Sequence, residues 1–217
     1  MADYATRRNV MVDTQVRPQD VTRFPIIEAM LSVPRERFVP PALRELAYLG
    51  ENLELAPGRV LLEPRSFAKM LEHLAIGPGD SVLHVGAGMG YGAAVIARLA
   101  QFVAALESDE TLAARAEEAL RETGVDNAAV FRAPLEAGVP SAGPYDAILF
   151  EGGVNLIPAA TAAQLKDGGR IAAIFMDGPL GEVRLGVRHG GRISWRGVFN
   201  ATAPVLPGHA RAQAFTL

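Results

Sequence analysis

The residues with the clearest chemical potential lie in the stretch SVLHVGAGMGYG, from Ser81 to Gly92. Gly86, Gly88 and Gly90 separate two apolar runs, a pattern typical of a strand, a tight turn and a helix. Glycine lets the backbone approach a ligand closely, and the beginning of a helix offers free amide donors. The stretch predicts a loop that holds a nucleotide-like ligand, although three glycines are also compatible with a tight turn alone.

A carboxylate strengthens the ligand hypothesis. Glu107 ends the next apolar run, about 20 residues after the first glycine, where an acidic side chain can accept hydrogen bonds from both ribose hydroxyls. The glycine spacing is G-x-G-x-G and not the G-x-G-x-x-G of dinucleotide sites. We therefore predict a nucleoside cofactor, with S-adenosylmethionine as the first candidate. A dinucleotide-dependent oxidoreductase is the weaker alternative, and for Glu107 the alternative is a solvated strand end.

The elements that must position these residues alternate along the chain. Apolar runs predict strands at 81–85, 102–107, 129–133, 145–151 and 170–175, separated by predicted helices at 91–100, 111–123 and 159–165. Such alternation indicates an α/β, doubly wound and mostly parallel sheet with helices on both faces. Two further runs, 182–188 and 192–199, flank Gly190 and Gly191 and predict an antiparallel hairpin at the end of the sheet.

The first 60 residues have a different pattern. Helical spacing is visible at 21–32 and in a short piece at 42–46, with the proline-broken VPRERFVPP between them. An amphipathic helix is predicted just beyond this region, at 67–74. We expect a single domain over residues 1–217, in which an N-terminal helical cap (1–60) covers an α/β core (61–217).

Composition narrows the function classes. The chain is 49% hydrophobic and 21% charged, with a net charge of −3 and a pI of about 5.8, which does not favour a nucleic-acid partner. It has no cysteine, and its four histidines are scattered, so no metal site is predicted. No apolar run approaches the roughly 18 residues of a membrane helix. A soluble cytoplasmic protein without a membrane partner is expected, and its oligomeric state stays open.

Several segments together are similar to a known family. They are AMLSVPRERFVP (29–40), LAYLGENLEL (46–55), VLLEP (60–64) and VLHVGAGMGYGAAVIARLA (82–100). In order and spacing they resemble the protein-L-isoaspartate O-methyltransferases. The resemblance implies a seven-stranded methyltransferase sheet, S-adenosylmethionine as methyl donor, and methyl transfer to the carboxylate of L-isoaspartyl residues in damaged proteins, which starts their repair.

The implied chemistry needs little acid–base help. A carboxylate is already ionised at pH 7, so the protein mainly has to align it with the methyl group and exclude water. No catalytic residue is identified. The residues expected at the cofactor are Gly86, Ala87, Gly88, Met89, Gly90, Glu107 and Leu135, and those expected at the substrate cleft are Leu62 and Pro64.

Four positions depart from the family's pattern. Leu62 stands where the family has a serine beside the reacting groups, next to Glu63 in place of glutamine. His84 replaces an acidic residue, and Met89 replaces a small serine in the glycine turn. Ala133-Pro134-Leu135 replaces a Gly-Asp-Gly that binds adenine.

These departures keep a second hypothesis open. Lost side-chain hydrogen bonds typically cost about 0.5–1.5 kcal/mol each. The chain could therefore be a degenerate methyltransferase-fold protein without isoaspartyl activity, acting as a binding or interaction module or on another substrate. Glu151, at the end of the fourth predicted strand, is either a replacement for a lost polar contact or a solvated strand end.

Overall fold

The N-terminal layer of the computed structural model, which describes residues 3–211, is mostly helical. Helix α1 (Tyr4–Met11) continues into a π-helical turn (Val12–Val16), and helix α2 (Phe24–Ser32) follows. The short helical piece predicted at 42–46 is a 3₁₀ helix (Pro41–Leu46). Helix α2 begins later than the predicted 21–32 because Pro25 favours the first helical turn.

A small hairpin that the sequence did not predict comes next. Strands β1 (Leu53–Ala56) and β2 (Arg59–Leu61) pair antiparallel and form a separate two-stranded sheet among the described residues. Helix α3 (Pro64–Leu74) then begins at a proline, three residues before the predicted start. The hairpin lies between the N-terminal layer and the core, where it can reach the glycine turn.

The core is a seven-stranded sheet, as predicted. Its strands are β3 (Ser81–Val85), β4 (Phe102–Glu107), β5 (Ala128–Arg132), β6 (Tyr145–Val154), β7 (Leu165–Phe175), β8 (Glu182–His189) and β9 (Arg192–Asn200). They lie in the order β5-β4-β3-β6-β7-β8-β9; the first five are parallel, and the last two form the antiparallel hairpin. Because the chain leaves β3 toward one side and returns on the other, the carboxyl ends of β3 and β6 border the crevice where such folds bind ligands.

Helices cover both faces of this sheet. They are α3, which packs on β6, β7 and β8, and α4 (Tyr91–Ala97), α5 (Glu110–Glu122) and α6 (Ala159–Ala162). Burial on both faces explains the continuous apolar runs of the central strands, since β3 and β4 are almost completely buried. Helix α6 is shorter than the predicted 159–165, because residues from Leu165 onward already pair with β6. No helix in the described ranges is long and apolar enough to cross a membrane.

Arg35 ties the N-terminal layer to the core although it is completely buried. Its Nε donates to the carbonyl of Ala47 at 2.7 Å, and its Nη2 donates to the carbonyl of Leu62 at 2.6 Å. Its guanidinium also lies 4.7 Å from the centre of the Tyr91 ring, a cation–π contact. Burial lowers the pKa of Arg35 and raises that of Tyr91. One side chain thus connects three segments.

Helix α4 passes unusually close to a buried polar pair. His84 Nε2 on β3 and Glu151 Oε2 on β6 lie 2.8 Å apart, within ion-pair distance, although neither atom makes an aligned hydrogen bond. A Cβ at Gly92 would clash with Glu151 Oε2 and would lie 2.9 Å from His84 Nε2. Glycine at position 92 is therefore needed to leave room for both helix α4 and the side chains of His84 and Glu151.

Replacing Arg35 with alanine should lower the free energy of unfolding by about 2–4 kcal/mol, because two buried carbonyls lose their donor. Arg37→Ala is the matched control, since Arg37 is half-exposed and only faces Glu122 at 3.6 Å; its cost should stay within about 0.5 kcal/mol. Urea unfolding of the three proteins measures both values. Equal stability of the Arg35 and Arg37 variants would contradict the anchoring role.

Gly92→Ala should destabilise the protein by about 1–3 kcal/mol, although alanine normally favours a helix, because the added methyl group overpacks the His84–Glu151 pair. Gly77→Ala is the control, since a Cβ there meets nothing within 4 Å. Thermal unfolding of the two variants and the wild type measures the change in stability. A Gly92→Ala protein as stable as the Gly77→Ala protein would mean that the pair moves aside freely.

Candidate cofactor site

The glycine turn has the backbone that the sequence predicted. Gly86, Gly88 and Gly90 have φ of 81°, 56° and 93°, in the region that L side chains rarely adopt. The amides of Gly86 and Ala87 donate to the carbonyl of Leu106 at 2.9 and 3.0 Å, so the turn rests against the end of β4. Gly90 is the N-cap of helix α4. The turn therefore requires glycine for its shape.

Glu107 lies directly under this turn and is completely buried. One carboxylate oxygen accepts the amide of Gly88 at 2.8 Å, and the other accepts the amides of Ser108 and Asp109 at 2.8 and 3.1 Å. The alternative of a solvated strand end is therefore wrong. Three backbone donors fix the carboxylate in one orientation at the carboxyl end of β4.

A fourth donor, Arg59 of strand β2, takes the remaining position on Glu107. Its Nη2 forms a buried ion pair and hydrogen bond with the same oxygen that accepts the Gly88 amide. Arg59 is 5% exposed, and among the described residues its Nε and Nη1 have no hydrogen-bond partner. The carboxylate expected to receive ribose hydroxyls is thus engaged by a cation from the chain itself.

Apolar side chains cover the rest of the turn. A Cβ at Gly88 would lie 2.9 Å from Leu55 Cδ1 of strand β1, and a Cβ at Gly86 would lie 3.2 Å from both Leu206 Cδ2 and Arg59 Nη1. Leu206 arrives from the C-terminal segment, whose backbone exchanges hydrogen bonds of 2.8 Å with Gly153 on β6. Segments from both ends of the chain therefore close the crevice.

Met89 lines a surface groove of about 370 Å³ together with Leu55, Pro40, Pro41 and residues of helix α5. Three arginines also border this groove, and they are Arg37, Arg44 and Arg115. The side chains that contact the glycines of the turn are those of Arg59, Leu55 and Leu206.

Leu135 lies in a 3₁₀ turn (Leu135–Ala137) after β5 and is fully buried in the core on that side of the sheet. A neighbouring cavity of about 470 Å³ is lined by Ser108, Arg132 through Glu136, Pro207 and Gly208. Pro134 stands at its wall, without an amide donor. An adenine-sized space is thus present beyond β4 and β5, and its lining combines apolar residues with Arg132 and Glu136.

Leu62 and Pro64 lie at the other side of the turn. Both are buried, and the carbonyl of Leu62 is held by Arg35 while its amide faces Glu151 Oε1 at 3.4 Å. Pro64 opens helix α3. The backbone at the family's serine position is therefore anchored from two sides, and its side chain contributes only apolar surface.

Glu151 is a buried partner of His84 and not a solvated strand end, since it is 2% exposed. It lies inside β6, which extends three residues beyond the predicted end at 151. Among residues 3–211, no group of three or more acidic or histidine side chains could hold a metal ion. Arg59 and Arg35 were not predicted from the sequence; Arg59 directly precedes the apolar run Val60–Leu62, whereas Arg35 lies in the charged run Arg35-Glu36-Arg37 and gave no signal.

The chain matches one family model over residues 6–178, described as Protein-L-isoaspartate(D-aspartate) O-methyltransferase (PCMT). A protein-L-isoaspartate O-methyltransferase 2 of Anaeromyxobacter sp. is 41% identical over 180 residues, which is 83% of this chain and 73% of the relative. A protein-L-isoaspartate O-methyltransferase of Methylorubrum extorquens is 40% identical over 190 residues, 88% of this chain and 82% of the relative.

Solved structures agree on the fold. A protein-L-isoaspartate O-methyltransferase superposes with a TM-score of 0.80 over 94% of this chain and 66% of its own, at 22% identity. A Plasmodium falciparum protein, described as a putative member in complex with S-adenosyl-L-homocysteine, superposes with a TM-score of 0.79 over 95% of this chain and 99% of its own, at 16% identity. From the family match and the sequence identities, the chain belongs to the protein-L-isoaspartate O-methyltransferase family.

Proposed function

We propose that this chain uses S-adenosylmethionine, the methyl donor of its family, to methylate the carboxylate of L-isoaspartyl residues in damaged proteins. The observation that carries the proposal is the family match over residues 6–178, supported by relatives at 40 and 41% identity. The partner is then a protein or peptide that contains isoaspartate. We place this activity in the cytoplasm, because a chain without cysteine needs no oxidising compartment.

The glycine turn and Glu107 are the residues that would hold the nucleoside part of the cofactor. The turn keeps three positive φ angles, and the Glu107 carboxylate is oriented by backbone amides. The space next to the turn and the carboxylate is, however, occupied by the side chains of Arg59, Leu55 and Leu206. In this closed arrangement the site does not fit the cofactor, and the proposed activity belongs to an opened site.

The chain's own residues favour a dry reaction site over acid–base catalysis. An isoaspartyl carboxylate is ionised at neutral pH, so it needs orientation and removal of water more than a proton acceptor. Leu62 and Pro64 give the cleft an apolar wall, and Arg35 holds the Leu62 carbonyl in place. The wall is therefore rigid, although it lacks the hydroxyl that the family places there.

The proposal predicts methyl incorporation into a peptide with one isoaspartyl residue and none into the same peptide with aspartate. Glu107→Gln should lower kcat/KM at least tenfold, because the neutral amide holds ribose hydroxyls less strongly. Glu28→Gln, an exposed change on helix α2, is the matched control. Transfer of a labelled methyl group to the peptide measures kcat/KM for the wild type and for both variants. Equal labelling of both peptides, or labelling of neither, would contradict the proposed substrate.

A further inference from the structure

We propose that the β1–β2 hairpin is a strap that closes the cofactor site, with Arg59 acting as an internal ligand that takes the ribose position on Glu107. The inference rests on the proposed function and goes beyond it, because it assigns a competing residue to the same carboxylate. Cofactor binding then requires the strap to move away from the glycine turn.

Arg59 and a bound ribose would compete for one acceptor, the Glu107 carboxylate. The Glu107 oxygen that Arg59 contacts also accepts the Gly88 amide, and the other oxygen already accepts two amides. Ribose hydroxyls can reach this carboxylate only by replacing the guanidinium. A charge-assisted bond in a buried site is about twice as strong as one between neutral groups, so the closed state is favoured without cofactor.

The hairpin also occupies the space next to the glycine turn. Leu55 Cδ1 lies 2.9 Å from the position that a Cβ on Gly88 would take, and the Arg59 guanidinium lies 3.2–3.3 Å from the corresponding position on Gly86. These are the glycines that allow close approach of a ligand. Both side chains come from the same hairpin, so a single movement would uncover Gly88 and remove the guanidinium from Gly86, where Leu206 would remain.

The closed site also contains buried donors without partners. The guanidinium charge of Arg59 is balanced by Glu107, but its Nε and Nη1 have no partner among the described residues. Because these two nitrogens lack acceptors, the closed state leaves buried hydrogen-bond donors unsatisfied.

The hairpin has the anchoring expected of a strap. Its base is held by Asn52, whose side chain donates to the Thr202 carbonyl at 2.7 Å and accepts the Glu63 amide at 2.8 Å. Its tip, Pro57 and Gly58, is exposed, and a Cβ on Gly58 would meet nothing within 4 Å. An isolated two-stranded hairpin is marginally stable by itself, so tertiary contacts such as Arg59 decide its position.

The test compares binding of S-adenosylhomocysteine to the wild type, Arg59→Ala and Arg59→Met by calorimetric titration. Arg59→Ala should bind at least tenfold more tightly than the wild type, because a binding-competent state that is rarely populated weakens the apparent affinity in proportion. The variant keeps three amide donors on Glu107, which favours folding. Arg59→Met retains most of the bulk without the charge and should fall between the two.

The matched control is Arg170→Ala, which breaks a partly buried ion pair with Asp80 at the opposite end of the sheet and should leave affinity unchanged. Equal affinity in the wild type and both Arg59 variants would overturn the strap while leaving the proposed function standing. No binding to any folded variant at millimolar ligand would overturn the proposed function and the strap with it. If Arg59→Ala fails to fold, the Arg59→Met titration decides between these outcomes.

The ligand-induced rise in melting temperature gives a second readout that does not depend on catalysis. Without ligand, Arg59→Ala should melt below the wild type, since a buried pair loses one partner. With saturating S-adenosylhomocysteine, its melting temperature should rise more than that of the wild type. A smaller rise in the variant than in the wild type would mean that Arg59 supports the cofactor and does not compete with it.

Discussion

A buried carboxylate must find donors whether or not a ligand is bound, and that constraint organises the carboxyl edge of this sheet. Glu107 is completely buried at the end of β4, where leaving it without partners would cost several kcal/mol. Backbone amides of the turn and of the following residues supply three donors. The fourth donor is Arg59 of strand β2. Its bond to Glu107 determines how the hairpin, the turn and the crevice lie relative to one another.

The same edge contains a second buried polar group. His84 and Glu151 join β3 to β6 beneath helix α4, and Arg35 crosses from the N-terminal layer to stack on Tyr91 beside them. Polar residues in a core fix position more sharply than apolar ones, because each has few acceptable partners. The N-terminal layer is therefore held in register with the glycine turn by directional contacts as well as by apolar packing.

The sequence predicted the α/β core well because its strands are buried on both faces. Runs such as SVLHV and FVAALE do not alternate regularly between apolar and polar residues, so their limits are clear, and glycines mark the turns. The β1–β2 hairpin escaped prediction because its strands are short and half-buried, with a Pro57-Gly58 turn that also fits a plain loop. Arg59 could not be assigned a partner, since Glu107 lies 48 residues away along the chain. The glycine turn and Glu107 lie together, but their accessibility depends on contacts that no local pattern contains.

The position of Leu206 has a consequence for how the protein is made. This side chain covers Gly86, yet Leu206 follows every strand of the sheet along the chain. During synthesis the sheet strands, the turn and the hairpin all leave the ribosome before it does. A nascent chain therefore has its crevice partly uncovered until Leu206 has been added, so the strands and the glycine turn form before this part of the cover is available.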